Sequence, residues 1–265
     1  MYLSIHPLLS IIYSLLLING IYFLSKVVAK FSSIIFLRNY FNNTNFIIFF
    51  FIINFIMFLI YPIVLFLGVN KLYLQIFCFC IMILGFGNIN NIEILRFKKI
   101  KKKSLTLSIL IILIFSYFLI SLMPVTDPDS LEYHLTVPFL SLESGSFYLT
   151  KTWMHGQLVG AGEALITLAM SINSYQIMPI MQFLSLYLIV YIIINSKLEK
   201  YKTLNESKYL VAICILSIPA LLFLTLSSKP QLIGVANNFL AFYMVVFVLP
   251  NEKNIKKSIF LFSSI

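Results

Sequence analysis

The sequence predicts an all-α fold, a polytopic bundle of transmembrane helices, and three observations carry that prediction. Hydrophobic residues make up 60% of the 265 residues and charged residues only 11%, against ~45–50% and ~25% in soluble domains. The apolar residues fall in long runs, several of them close to the ~20 residues that a membrane-crossing helix needs. Those runs are continuous, without the in–out alternation of a barrel strand. A soluble enzyme and a disordered regulator are both excluded, because neither could cover itself with so little polar surface.

About seven spans follow in order. The first, 8–25, lacks a basic leader and a small-residue cleavage site, so it reads as a retained helix and not a secretory signal. Spans at 45–68 and 72–87 come next, the second of them short and suited to a tight hairpin with its predecessor. Further spans cover 105–123, 175–195, 209–226 and 231–249, and an eighth begins at Ser258. The chain divides into N-terminal helices with basic loops (1–104), a core (105–249) containing a long loop at 124–174, and the start of a truncated span (250–265).

The formal net charge of +10 is a record of topology. Of 19 cationic residues, sixteen fall on alternate loops: Lys26, Lys30 and Arg38; Arg96 to Lys103; Lys197, Lys200, Lys202 and Lys208; and Lys253, Lys256 and Lys257. Only Lys71, Lys151 and Lys229 fall on the others. Under the positive-inside rule the basic loops are cytoplasmic and the N-terminus is outside. Nucleic acid is therefore not an expected partner. The run RFKKIKKK orients the chain, with anionic lipid as its secondary contact. Cys78, Cys80 and Cys214 sit inside apolar runs and read as small buried hydrophobes.

The loop 124–174 differs from the rest of the chain. It holds Asp127, Asp129, Glu132, Glu143 and Glu163, together with His134, His155 and the single tryptophan, Trp153. Pro124 and Pro128 end the preceding span, and a short surface helix is expected to run from Asp129 and break near Pro138. At helical spacing Asp129, Glu132, Tyr133 and Thr136 share a polar face opposite Leu131, Leu135 and Phe139. A second surface helix, about 157–173, carries Glu163 as its only charge. Plainer readings exist for most of these residues. Asp129 with Glu132 would make a capping box, Tyr133 and Trp153 interfacial anchors, and the glycines between 156 and 162 close packing. Glu163 is costly in an apolar helix unless it faces a cavity or a partner.

Carboxylates without zinc-type spacing suit general-base catalysis or a hard divalent cation, for which Asp127 and Asp129 are the pair. At an outer membrane face the available substrates include sugars carried on polyprenyl phosphate. Such a transfer needs a base for the acceptor hydroxyl and positive charge for the departing phosphate. Lys151, Lys229, His155 or a cation held by the acidic pair could supply that charge.

The stretch D-P-D-S-L-E-Y-H-L-T-V-P resembles the first external loop of bacterial GT-C superfamily glycosyltransferases, relatives of the polyprenyl-phosphate-sugar-dependent mannosyl- and aminoarabinosyl-transferases. Asp129, Tyr133, His134 and Leu135 carry the resemblance, Asp127 completes an Asp-x-Asp arrangement, Glu163 matches a following Glu, and S-S-K-P-Q (227–231) matches a later external turn. It extends over about 105–249. The resemblance implies an enzyme of the bacterial cytoplasmic membrane that moves a sugar, with inversion, from a polyprenyl-phosphate donor to a lipid or glycan acceptor outside. Asp129 would be the base or orient the acceptor, Asp127 and Glu163 would contact the metal or acceptor, and Tyr133 and His134 would bind substrate. Two other expectations stand beside it: a lipid or solute transporter or flippase, and an N-terminal fragment inactive without further spans.

Overall fold

A computed structural model of the chain describes residues 6–30, 37, 41, 43–87, 105–146, 160–195, 205–248 and 250. Among these residues every regular element is helical. In order they are α1 (Pro7–Val28), α2 (Thr44–Pro62, continued by a wider π turn over Ile63–Leu67), α3 (Lys71–Gly87) and α4 (Leu105–Ser121). After a π turn at Ser130–His134 come α5 (Thr136–Ser144), α6 (Ala161–Met170), α7 (Ile177–Asn195), α8 (Asn205–Leu216), α9 (Pro219–Leu226) and α10 (Gln231–Tyr243, continued to Val248). Local chemistry marks the ends. Pro7 and Pro219 open α1 and α9, where a missing N–H costs nothing. The Asn43 side chain accepts the Phe46 N–H at the start of α2. Gly145 ends α5 in the left-handed region at φ 74°, which glycine adopts without strain.

Four of these helices are long and apolar enough to cross a membrane: α1, α2 with its continuation, α7, and α10 with its continuation. The bent pair α8–α9 makes a fifth if counted as one span. This is fewer than the seven that hydropathy predicts. With 17 residues each, α3 and α4 reach about 25 Å at 1.5 Å per residue, short of the ~30 Å hydrocarbon layer. The predicted span at 209–226 is broken, because Pro219 cannot supply the N–H that would continue α8, and the two halves meet at 61°. The Tyr117 hydroxyl donates to the Leu216 carbonyl at that break (2.7 Å), satisfying a group the interruption frees.

The middle of the molecule is α7. Nearly all of its side chains are buried, and an aromatic cluster of Phe46, Phe49, Phe50, Tyr187 and Tyr191 fills the space between it and α2. Five segments meet at one end of the bundle. Ser10 Oγ accepts the Tyr175 N–H, Gln176 Nε2 donates to the Met123 carbonyl, Val69 N–H donates to Gly145 O, and Ser228 N–H donates to Ser130 Oγ. These are the segments that the charge pattern assigns to one side of the membrane. At the opposite end, Asn43 N–H donates to the Tyr191 hydroxyl, and Lys26 lies over the Tyr22 ring.

Two departures from expectation concern the loop. The segment predicted as a second surface helix is α6, and its residues from Gly162 to Met170 are buried. It is an internal helix, enclosed by α2, α3, α5 and α7, because a sequence with one charge offers no polar face to water. Pro138 does not break a helix either. It lies in the first turn of α5, where proline is tolerated.

α1 and α3 approach so closely that glycine is required at both sides of the contact. A Cβ on Gly85 would overlap the Leu16 carbonyl, and one on Gly20 would overlap the Ile81 carbonyl. Asn19 Nδ2 donates to Gly85 O across the same contact at 2.6 Å. Gly85→Ala is expected to cost about 1–3 kcal/mol by overpacking, read as a lower thermal midpoint in detergent. Gly87→Ala, where nothing lies within 4 Å, should change it far less, and equal losses would contradict this packing.

Candidate functional site

Asp127 shapes the loop. Its Oδ2 accepts both the backbone N–H (3.0 Å) and the hydroxyl (2.7 Å) of Ser130, so the cap predicted for Asp129 belongs to Asp127. Capped this way, the chain enters a π turn in which Leu135 N–H reaches back to Ser130 O. The wider turn shifts the expected faces. Leu135 is buried, yet Leu131 is exposed, and the residues turned inward beside Leu135 are Ser130 and His134. Asp129 and Glu132 are exposed.

The turn between α9 and α10 closes over this loop. Ser228 N–H donates to Ser130 Oγ at 2.9 Å. Lys229 Nζ lies 2.8 Å from Asp129 Oδ2 and 3.5 Å from Asp127 Oδ2. The Lys229 and Asp127 side chains are nearly buried, at 11% and 9% exposure, whereas Asp129 is 62% exposed. One counterion is thus nearly buried and the other open at the surface. The hydrogen bond it donates to Asp129 pushes the Lys229 ammonium above the ordinary lysine range; partial burial opposes this and the charge of Asp127 adds to it. A raised pKa in the folded protein means that the link is fully present below about pH 10.5 and is lost as pH rises through the folded value. Alkaline titration of the melting temperature should therefore show a small extra loss above pH 10.5 that Lys229→Met removes. It should be small because water screens Asp129.

α6 supplies the other half. Glu163 sits in its first turn, where Oε2 accepts the Gly160 N–H at 2.8 Å, a position that favours negative charge. Its Oε1 lies 2.7 Å from His134 Nδ1, and both side chains are buried. The expectation that Glu163 faces a partner is met by His134. Gly162 permits the approach of the later turn, since a Cβ there would overlap the Pro230 ring. The Tyr133 ring lies against His134 with centroids 3.8 Å apart and the planes tilted by 36°. Burial raises the Tyr133 hydroxyl above its usual range, and the charges of Glu163, Asp129 and Asp127 raise it further while Lys229 lowers it. Charges from three separate segments therefore converge around Tyr133.

Residues 94–265 match the DUF1420 N-terminal domain. The chain belongs to this family. No curated protein and no solved structure matches the chain. The DUF1420 match takes in α4 to α10 and with them the whole of the site just described, and leaves α1 to α3 outside.

Within the DUF1420 region the structure brings together six of the residues singled out from sequence: Asp127, Asp129, Tyr133, His134, Glu163 and Lys229. Lys151, Trp153 and His155 lie outside the described residues, as do most of the basic loops. Sequence reasoning missed Ser130, whose hydroxyl links Asp127 to Ser228. Its signal was the D-x-x-S spacing of a side-chain-capped turn. Among the described residues no group of three His, Cys, Asp or Glu is arranged to hold a metal ion. Asp127 and Asp129 already share the Lys229 ammonium, so the pair does not fit a resident divalent cation while that side chain keeps its place.

Proposed function

We propose that this protein is a membrane glycosyltransferase that moves a sugar, with inversion, from a polyprenyl-phosphate donor to an acceptor hydroxyl on the extracytoplasmic face. The observation that carries this reading is Lys229, a nearly buried ammonium held by one buried and one exposed carboxylate at the end of the bundle where the loops gather. A donor phosphate can exchange with Asp129 for Lys229, while Asp127 keeps the ammonium in position. The lysine then neutralises charge on the departing phosphate, and the released Asp129 orients the acceptor. Carboxylates outnumber cations here, so the phosphate is accepted at one point only. That suits a donor presented from the bilayer in a single orientation.

The reading carries the topology with it. Seven crossings, the short α3 and α4 included, would place the N-terminus and this site outside and the basic loops in the cytoplasm of a bacterial inner membrane. Membrane lipids and a lipid or glycan acceptor are the expected partners.

In intact protein in native membranes, supplied with radiolabelled polyprenyl-phosphoryl sugars, Asp129→Asn should lower transfer about 100-fold through lost orientation. The amount of protein in the membrane should not change. Wild-type transfer by this variant would overturn the role given to Asp129.

A second reading, a lipid transporter or flippase, is favoured by one observation. The α8–α9 pair is a broken helix bent by 61°, and discontinuous helices often line transport sites. The acidic groups argue the other way, since Asp127, Asp129, Glu132, Glu143 and Glu163 all fall between α4 and α7 and leave α1, α2, α7 and α10 without a carboxylate.

A further inference from the structure

His134 has a half that the fold does not use. Its Nδ1 is 2.7 Å from Glu163 Oε1, and a carboxylate can only accept, so Nδ1 carries the hydrogen. Glu163 cannot turn away, because Oε2 is held by the Gly160 N–H. In the neutral ring Nε2 is then a bare lone pair, and it is buried with no hydrogen-bond partner. A histidine serving only to join the loop to α6 has no reason to leave one nitrogen orphaned in the interior, where buried polar atoms are almost always paired. The same junction holds a second orphan, the Ser228 hydroxyl oxygen, on the turn that closes over Ser130. The Asp129 carboxylate, by contrast, is engaged by Lys229.

We infer that His134 is the catalytic base, its Nε2 taking the proton of the attacking acceptor hydroxyl, with Glu163 as its positioning residue. This rests on the transfer reading and deepens it. The acceptor O–H bond breaks and its proton passes to Nε2. The oxygen forms a bond to the anomeric carbon of the donor, and the bond from that carbon to the phosphate oxygen breaks. The electron pair leaves with the lipid phosphate beside Lys229. The imidazolium that results lies against Glu163 and returns its proton to water after the product departs. Nε2 is buried, so an acceptor meets it only when the turns joined by Ser228–Ser130 and Lys229–Asp129 part. Exchange of Asp129 for the donor phosphate on Lys229 loosens that fastening, so the donor binds before the hydroxyl is deprotonated.

Glu163→Gln separates this role from a structural one. The Gly160 N–H requires the amide oxygen, so the Gln NH2 must face His134 Nδ1 as a donor. The ring then keeps its hydrogen bond but holds its hydrogen on Nε2, the wrong tautomer for a base. The experiment follows transfer of label from a polyprenyl-phosphoryl hexose by intact protein in vesicles containing total lipid of the source membrane, between about pH 5 and pH 9. Wild type should show an acid limb of unit slope. His134→Gln should lose about 100-fold in kcat and lose that limb. Glu163→Gln should lose a similar factor in kcat, with KM and thermal midpoint near wild type. If His134→Gln does not accumulate, Glu163→Gln decides alone. Retained kcat in Glu163→Gln, or a wild-type acid limb in His134→Gln, overturns the base and leaves the transfer reading standing. Absence of transfer by the wild type overturns both.

Discussion

Lys229→Met should cost about 1–3 kcal/mol of stability, the penalty for leaving a buried polar group without its partner, and should abolish sugar transfer. The cost falls on Asp127. Its carboxylate is 9% exposed and keeps the two hydrogen bonds from Ser130, but its charge loses the counterion. Asp129, facing water, is hydrated instead and adds little. Lys229→Met with Asp127→Asn should therefore recover most of the lost stability, since an Asn oxygen can still accept from Ser130. It should not recover transfer, because the phosphate has no cation to meet. A double-mutant cycle on thermal stability, with transfer measured in parallel, checks both halves. A double variant that is stable and fully active would remove Lys229 from the chemistry.

Glu163→Ala should be more damaging than any other single change in the loop. A buried donor, His134 Nδ1–H, and a half-buried one, Gly160 N–H, lose their acceptor together. At about 1–3 kcal/mol for each unsatisfied group, the loss is on the order of 3 kcal/mol. The effect should spread through α6, which is enclosed by its neighbours and holds this residue in its first turn. Glu163→Gln should be mild by comparison, because both hydrogen bonds can be rebuilt with the ring in its other tautomer. Thermal unfolding in detergent separates the two variants. Equal, small losses would mean that the pairing of His134 with Glu163 contributes little to the fold.

What the sequence reveals here follows from the range of each interaction. The apolar runs are visible directly, because burial in lipid or protein is a property of each segment alone. Their ends are less so. The break before Pro219 was signalled by the proline, yet the flanking residues are so apolar that hydropathy runs through it. The position of α6 was half legible. A lone Glu163 in an apolar helix announces a partner, but whether that helix lies on a surface or inside depends on which elements enclose it. The cap on Ser130 went to Asp127 because Pro128 sits between the two aspartates and the turn that follows is a π turn, which regular helical spacing does not anticipate. The link between Lys229 and Asp129 spans 100 residues, and no spacing rule reaches that far. Charge alternation had already put both on one side of the membrane, which is as much as a one-dimensional pattern can say.

The most direct measurement of the central claim uses sealed right-side-out vesicles carrying the intact protein and loaded with a polyprenyl-phosphoryl sugar labelled in the sugar. The account predicts label moving onto an acceptor at the outer surface, with lipid phosphate released in equal amount, and loss of both in Lys229→Met. Movement of intact donor across the bilayer with its sugar–phosphate bond unbroken would contradict it, and would make the broken α8–α9 helix the feature to follow.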